Sequence, residues 1–308
     1  MRVFTDIHDC KIKNPVVTLG SFDGVHQGHV KVLERLNEIA NKTDGESVIF
    51  TFSPHPRQVL YPNEEGVKLL NTEKEKIERL EMIGVDNIIL YPFTKEFAKL
   101  SYTEFVSNIL IGQLGMKSLV VGYDHRFGSN REGDFEQLSK LSGELGFTIE
   151  KEEAFNMNDV NVSSTKIRNA LSIGDVVKAS DYLGYNYRLS GVVIQGEKLG
   201  RKIGFPTANI SIENKNKLIP ASGVYAVKVI IDDTEYMGML NMGMRPTVSN
   251  KGCMSIEANI FDFNELIYGK EIVVLFVDRI RGERKFDNLE ELKAQLEKDK
   301  SAAIEILE

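Results

Sequence analysis

The sequence predicts two folds in succession, an α/β half and a β-rich half, and three observations support this. The chain has 308 residues, which at roughly 100–200 residues per domain leaves room for two ordinary domains. Apolar runs alternate with helical patterns up to about residue 186, after which short strand patterns follow one another without helices between them. All five histidines lie within the first 125 residues. The two halves are therefore expected to perform different chemistry.

The first half is predicted to form a parallel sheet with right-handed crossovers, because strands and helices alternate. The predicted strands are residues 16–20, 47–52, 87–91 and 118–122, and the predicted helices are 28–41, 72–84, 101–114, 133–146 and about 163–171. The helix at 28–41 carries one apolar face, made of Val32, Leu33, Leu36, Ile39 and Ala40.

The second half is predicted to form a small antiparallel barrel or sandwich, followed by one helix. Its predicted strands are residues 189–194, 223–231, 235–240, 254–260 and 271–278. The final helix begins near Leu289 and is expected to pack on the sheet through Leu289, Leu292, Leu296 and Ile306. The predicted domains are residues 1–184 and 185–308.

Composition excludes several classes of protein. A net charge of −7 disfavours a duplex-coating protein, so no nucleic-acid partner is expected, and an anionic ligand would need a local basic cluster or a divalent metal. Cys10 and Cys253 form no CxxC pair, which excludes a disulfide scaffold and a cysteine-rich zinc site. No apolar stretch approaches the ~18 residues of a membrane span. The start resembles no signal peptide, so a cytoplasmic protein without a membrane partner is expected.

A glycine-rich segment, GSFDGVHQGH at residues 20–29, lies where the first predicted strand leads into a helix. Gly20, Gly24 and Gly28 permit tight turns and close approach to a ligand, and the helix start offers free N–H groups to phosphate. His26 and His29 are three residues apart and can point to the same side, where they could neutralise charge during phosphoryl or nucleotidyl transfer. The alternative is a helix start with incidental histidines.

A second segment, VSSTKIR at residues 162–168, begins the helix predicted at about 163–171. Ser163 or Ser164 is a natural N-cap, and Lys166 and Arg168 add positive charge in the next turn. Capping alone explains the serines and the threonine but does not require the arginine. Both a structural and a functional interpretation stay open for these residues.

A third segment, GEKLGRKIGFPTAN at residues 196–209, opens the β-rich half. The chain contains no GxxxxGK[ST] phosphate loop. Instead Gly196, Gly200 and Gly204 flank Lys198, Arg201 and Lys202 in a segment that can fold over phosphates. In an extended segment the oxygens of Thr207 and Asn209 face one side, where such hard ligands suit Mg²⁺. The alternative is a glycine-rich hairpin loop.

Glu257 lies inside an apolar strand pattern, where an unpaired carboxylate is costly. If this half transfers a phosphoryl group to an alcohol, it needs a group that orients the hydroxyl and accepts its proton, and this half contains no histidine. Glu257 is therefore the candidate base. The alternative is a strand glutamate that faces solvent.

The first half resembles a known family through four segments in order: GSFDGVHQGH, TFSPHP (51–56), GYDHRFGSNREG (122–133) and VSSTKIR. Prokaryotic bifunctional FAD synthetases have them at similar spacing. These proteins join an FMN adenylyltransferase, with the Rossmann-like sheet of the HxGH nucleotidyltransferase superfamily, to a riboflavin kinase. The resemblance implies catalytic roles at the ATP phosphates for His26, His29 and Arg168. It also implies nucleotide contacts from Gly20, Phe22, Asp23, Gly24, Ser164 and Thr165, and flavin contacts from His55, Asp124 and Arg126. His125 departs from the aromatic residue usual there.

The second half is similar to riboflavin kinases, whose GxGRxxGFPTAN signature matches residues 196–209. The match continues through GVYAV (223–227), NMGMRPT (241–247), SIEANIFDF (255–263), YGK (268–270) and IRGERKF (280–286). It implies that Thr207 and Asn209 bind Mg-ATP and that Glu257 is the base. Gly196, Lys198, Gly200, Gly204 and Asn241 would bind nucleotide. Arg281 and Glu283 match an element beside the flavin, although a solvated basic loop is the alternative. Asn259 stands where many relatives have histidine.

The resemblance implies an enzyme that phosphorylates riboflavin to FMN and then adenylylates FMN to FAD, with ATP, Mg²⁺ and flavins as its small-molecule partners. Two alternatives remain at this point. One half could be inactive, or the protein could be a flavin-binding module with vestigial ATP sites. The sequence indicates no oligomeric state.

Overall fold

The computed structural model describes residues 1–61, 68–123, 127–128, 132–153, 155–157, 160–196, 199–245 and 253–308. The chain divides into two compact units, Met1–Ser164 and Thr165–Glu308. The division falls just inside a helix, Ser164–Ser172. The predicted boundary between residues 184 and 185 follows the change in sequence pattern and stays a prediction about the limits of the two domains.

The first unit contains the predicted parallel sheet. Its six strands are β1 (Arg2–Phe4), β2 (Val16–Leu19), β3 (Ser47–Ser53), β4 (Asn87–Pro92), β5 (Ser118–Val121) and β6 (Thr148–Lys151), in the order β1-β4-β3-β2-β5-β6. All five pairings of neighbouring strands are parallel. The helices are α1 (Gln27–Lys42), α2 (Pro56–Leu60), α3 (Glu73–Met82), α4 (Tyr102–Glu104) and α5 (Phe135–Leu145). A two-stranded ribbon, β7 (Asn156–Met157) with β8 (Val160–Asn161), completes the described part of this unit.

Apolar side chains alternate along the sheet, so each face has its own core. Val16, Ile49 and Ile88 pack with the apolar face of α1 and with Leu80 of α3, and the five α1 residues named above are all buried as predicted. Residues of the opposite parity, such as Val17 and Phe50, form the second core. This three-layer arrangement leaves the carboxyl ends of the strands for ligands.

The first unit differs from the expectation in several short elements and in one helix. The edge strands β1 and β6 are not among the predicted strands, because they are three and four residues long and carry little buried apolar surface. The helix predicted at 101–114 is only briefly α-helical. After Glu104 it continues as a π-helix, Phe105–Ile111, whose wider turns bring Phe105, Val106, Ile109 and Leu110 into one core.

The second unit contains a closed six-stranded barrel in the order β10-β13-β12-β11-β14-β9. The strands are β9 (Arg188–Ile194), β10 (Ala208–Ser211), β11 (Gly223–Ile231), β12 (Thr234–Arg245), β13 (Cys253–Ile260) and β14 (Glu271–Arg281). Every pairing is antiparallel. Because β9 pairs with both β10 and β14, the sheet closes on itself, and the barrel is confirmed over the sandwich. Two helices, α6 (Ser164–Ser172) and α7 (Val176–Leu183), precede it, and the short α8 (Leu199–Lys202) lies between β9 and β10.

The last helix, α9 (Leu289–Leu307), covers an apolar patch on the barrel. Leu296 and Ile306 pack there with Ala226, Met239 and Ala303, as predicted. The expectation for Leu289 is wrong, because this residue directly follows the N-cap Asn288 and its side chain is 66% exposed. Within the described ranges, no helix is both long and apolar enough to cross a membrane.

Candidate active sites

The loop between β2 and α1 holds an unusual backbone conformation. Phe22 and Val25 have φ values of 47° and 36°, and Gly24 has a φ of 90°. The left-handed region is a genuine outlier for a β-branched residue such as valine. Such strain persists only where the surroundings hold it, and here both Phe22 and Val25 are buried. The loop is therefore fixed in shape before any ligand binds.

Asp23 fastens this loop to two other segments. Its Oδ1 accepts the backbone N–H groups of Leu70 and Asn71 at 2.9 and 3.2 Å, just before α3. Its carbonyl oxygen accepts the hydroxyl of Ser164 at 2.8 Å, at the start of α6. Phe22 and Asp23 have exposed fractions of only 3% and 4%. The nucleotide contacts predicted for these two residues stay a prediction.

His26 and His29 lie side by side, as their spacing predicts. His26 is the N-cap of α1, and its Nδ1 accepts the backbone N–H of His29 at 3.3 Å. The two imidazole rings stack with centroids 3.7 Å apart and an angle of 15° between their planes. Because Nδ1 of His26 is an acceptor, this ring keeps Nε2 for a proton that it can donate.

The electrostatic surroundings of His29 favour its neutral form. Burial, then His26, then Lys76 lower the pKa of His29 well below the ordinary value of 6.5. Its Nδ1 is buried, and it has no hydrogen-bond partner among the described residues. The pair can therefore stabilise phosphate charge as N–H donors without first becoming an imidazolium.

The other residues predicted for the first site lie in or beside α6, at the start of α2, or outside the described residues. Ser163 directly precedes the first residue of α6, as expected of a cap, while Thr165 and Arg168 belong to the second unit. His55 is the N-cap of α2, where its Nδ1 accepts the backbone N–H of Arg57 at 3.2 Å. Asp124, Arg126 and the unusual His125 lie outside the described residues.

The second site is a row of polar residues across three neighbouring strands. Glu257 of β13 pairs in register with Asn209 of β10 on one side and with Asn241 of β12 on the other. Directly paired residues point to the same face of a sheet. The carboxylate accepts the hydroxyl of Thr207 at Oε2 (3.1 Å) and that of Ser255 at Oε1 (2.8 Å). The structure thus brings Thr207, Asn209, Asn241 and Glu257 together.

The glycines before this row allow the chain to approach it closely. A Cβ atom on Gly196 would overlap the carboxamide of Asn209, and one on Gly200 would overlap the carbonyl of Phe205. Gly204 has a φ of 87°, which favours glycine. Lys198 lies outside the described residues. A cavity of about 60 Å³ opens beside Thr207, with walls that include Pro206, Ala258, Phe263, Leu266 and Tyr268.

Arg281 and Glu283 are held by contacts that the sequence analysis did not anticipate. The Arg281 guanidinium binds the buried carboxylate of Asp299 in α9, with Nη2 at 2.8 Å from Oδ2 and Nε at 3.0 Å from Oδ1. The Glu283 carboxylate lies directly against Gly243 of β12. Asp299 could have been noticed, because an acidic residue between Leu296 and Ala303 interrupts the apolar face of α9.

Asn259 and Ser255 are two further residues on the strand of Glu257. Asn259 is 7% exposed, and its Nδ2 donates to the carbonyl oxygen of Pro206 at 2.6 Å. This bond fixes the segment that carries Thr207. Ser255 lies two residues before Glu257, and this spacing on a strand was the signal that could have found it.

The donor set of Thr207 and Asn209 fits a hard divalent cation. These residues offer a hydroxyl oxygen and an amide oxygen, which suit Mg²⁺ when it also binds substrate phosphates. Within the described part of the chain, no group of three or more His, Cys, Asp or Glu residues could hold a metal by itself. The residues therefore suit a magnesium ion that arrives with its nucleotide.

Comparison with known proteins matches a different family to each half of the chain. A family described as FAD synthetase matches residues 9–166, and a family described as riboflavin kinase matches residues 183–307. The bifunctional riboflavin kinase/FMN adenylyltransferase of Bacillus subtilis (strain 168) is 40% identical over 94% of this chain and 91% of its own length. The protein of the same name from Pseudomonas fluorescens is 38% identical over 98% of this chain and 97% of its own length.

A solved structure also matches nearly the whole chain. It is titled as a macrolide-efflux protein from Streptococcus pneumoniae, and it has a TM-score of 0.89 and 31% identity, covering 98% of this chain and 97% of that one. The two families match in succession, and the curated relatives match over almost their full length. The chain therefore belongs to the family of bifunctional riboflavin kinase/FMN adenylyltransferases.

Proposed function

We propose that the second unit transfers the γ-phosphoryl group of ATP to the 5′-hydroxyl of riboflavin, and that the first unit then joins the resulting FMN to AMP from a second ATP. The observation that carries this proposal is the pair of prepared sites, one with two stacked histidines at a helix start and one with a glutamate between two asparagines. We expect the enzyme to work in the cytoplasm.

In the kinase step, Glu257 orients the riboflavin hydroxyl and accepts its proton as the oxygen attacks the γ-phosphorus. The bond between the γ-phosphorus and the bridging oxygen breaks, and ADP leaves. The hydroxyls of Thr207 and Ser255 hold the carboxylate in one orientation, which favours a reactive geometry. Thr207 and Asn209 would hold a magnesium ion that neutralises phosphate charge. The cavity beside Thr207 offers apolar walls to the nucleotide.

In the adenylyl step, an FMN phosphate oxygen attacks the α-phosphorus of ATP, and the bond to the leaving pyrophosphate breaks. This nucleophile is already an anion, so it needs no general base. His26 and His29 donate hydrogen bonds to phosphate oxygens on which charge develops, and the amides at the start of α1 add to this stabilisation. The resemblance to the family also assigns Arg168 a role at the ATP phosphates.

One assay tests the proposal against its alternatives. The protein is incubated with riboflavin, ATP and Mg²⁺, and the flavins are separated by chromatography. Formation of FMN and then FAD supports the two-step function. FMN alone leaves only the kinase, while unchanged riboflavin would favour a flavin-binding module and reject both steps.

A further inference from the structure

A buried lysine lies outside every segment that carries the function proposed above. Lys76 belongs to α3 and is 9% exposed. Its Nζ donates to Oγ1 of the fully buried Thr51 at 3.2 Å and lies 3.5 Å from the carbonyl oxygen of Ser21. Thr51 opens the TFSPHP segment at the end of β3, and Ser21 lies in the strained loop before His26. One side chain therefore connects two segments of the first site.

Burial lowers the pKa of the Lys76 ammonium group from its ordinary value, and the negative charges of Glu73 and Asp23 offset part of this effect. The positive charge of Lys76 acts in turn on His29, together with the second imidazole of His26. Burial matters here because a charge shielded from water acts more strongly on its neighbours than an exposed one.

We propose that Lys76 is a positioning residue of the adenylyltransferase site, which holds the loop of Ser21 against β3 and places a fixed positive charge behind the His26–His29 pair. The inference rests on the proposed function of this site and names a residue that acts on it through others. It does not require contact between Lys76 and either substrate.

Two physical effects follow from this position. The anchor to Ser21 keeps the amides and histidines that follow it in place, and a displacement of about 1 Å can cost on the order of 100-fold in rate. The fixed charge also repels a proton from His29, so the imidazole stays neutral and keeps a nitrogen lone pair and an N–H in defined directions. A phosphate group that arrives at the pair therefore meets a site that needs little rearrangement.

The test compares Lys76→Met with Lys76→Arg and with the control Lys74→Met, which removes an exposed lysine from the same helix. Conversion of supplied FMN to FAD reports on the first unit, and riboflavin phosphorylation by the same chain reports whether the protein is intact. Proton NMR titration of the histidine rings gives a readout that is independent of activity. Five histidine signals are expected and can be assigned by single substitutions.

We expect Lys76→Met to lower kcat for FAD formation by about 10- to 100-fold, to leave phosphorylation of riboflavin unchanged, and to raise the pH at which His29 titrates. Lys76→Arg should restore the low titration and part of the activity. Lys74→Met should behave like the wild type in all three measurements.

Unchanged adenylylation together with an unchanged His29 titration in Lys76→Met would overturn the proposal. If Lys76→Met loses both activities, the titration of His29 is compared in Lys76→Gln, which is uncharged, and Lys76→Arg, which is charged. The proposal fails if His29 titrates at the same pH in both variants. A wild-type protein that makes no FAD would reject the proposed function instead, and the histidine titration would still report on Lys76.

Discussion

At the scale of single residues, the two sites differ in the kind of ionisable group that they contain. His29 is a half-buried imidazole whose pKa is lowered by burial and by the neighbouring His26 and Lys76, whereas Glu257 is a carboxylate that accepts two hydroxyl groups. The first arrangement suits a nucleophile that needs no deprotonation, and the second suits an alcohol that does. Each site therefore has the ionisable group that its proposed reaction requires.

The lowered pKa of His29 predicts how stability depends on pH. Below pH 6.5 the unfolded chain binds a proton at this position more readily than the folded chain, so the free energy of unfolding should fall as the pH falls from that value. His29→Gln should reduce this loss by about 1 kcal/mol per pH unit. Urea unfolding of both proteins between pH 5.5 and 7.5 measures the effect. Equal pH dependence in the two proteins would contradict the assignment of a neutral His29.

At the scale of structural elements, the kinase site depends on a close approach between the glycine-rich segment and β10. Gly196→Ala should force the Asn209 carboxamide to rotate, because its new Cβ would overlap that group. We expect kcat/KM for Mg-ATP in riboflavin phosphorylation to fall by about 10-fold or more, while FMN adenylylation is unchanged. Gly143→Ala in α5 is the matched control, since a Cβ there meets no atom within 4 Å. Normal kinetics in the Gly196 variant would show that the Asn209 position is unimportant.

An ion pair between Arg281 of β14 and the buried Asp299 of α9 connects these two elements. Asp299 has a side chain that is 1% exposed, and Gln295 also donates to it at 2.9 Å. Asp299→Asn should lower the free energy of unfolding by about 2 kcal/mol, because the half-buried Arg281 loses hydrogen bonds to a charged partner. It should also raise KM for riboflavin, since Arg281 loses its fixed position. Glu297→Gln, on the exposed side of the same helix, should change neither quantity. A stable Asp299 variant with an ordinary KM would argue against this anchor.

At the scale of the whole molecule, the chain combines two units whose proposed reactions share FMN. If FMN leaves one unit before it reaches another, two singly inactivated chains should complement each other. Glu257→Gln should make no FMN from riboflavin, and His29→Ala should stop largely at FMN. A mixture of both proteins with riboflavin and ATP should make FAD, as followed by chromatography. Failure of the mixture, despite conversion of supplied FMN by Glu257→Gln, would mean that FMN is not released between the steps.

The sequence by itself determined the succession of an α/β unit and an antiparallel β-rich unit, the core face of α1 and the segments that carry the sites. These features are encoded locally, in the spacing of apolar residues and in short runs of glycine, histidine and polar residues. Residue spacing also predicted that His26 lies beside His29, and that the side-chain oxygens of Thr207 and Asn209 face the same side. The spacing of apolar residues did not predict the edge strands, because these strands contain few buried apolar residues. It did not predict the π-helix either, because the wider turns of that helix change the spacing.

Only the tertiary structure decided which distant residues meet. Strand register places Glu257 between Asn209 and Asn241. The Nζ of Lys76 contacts the carbonyl oxygen of Ser21, and Asp299 of α9 binds Arg281. The lowered pKa of His29 could not be predicted from the sequence either, because burial, His26 and Lys76 cause it. Register, burial and ion pairing are properties of the packed chain, since each depends on residues that are far apart in sequence and close in space.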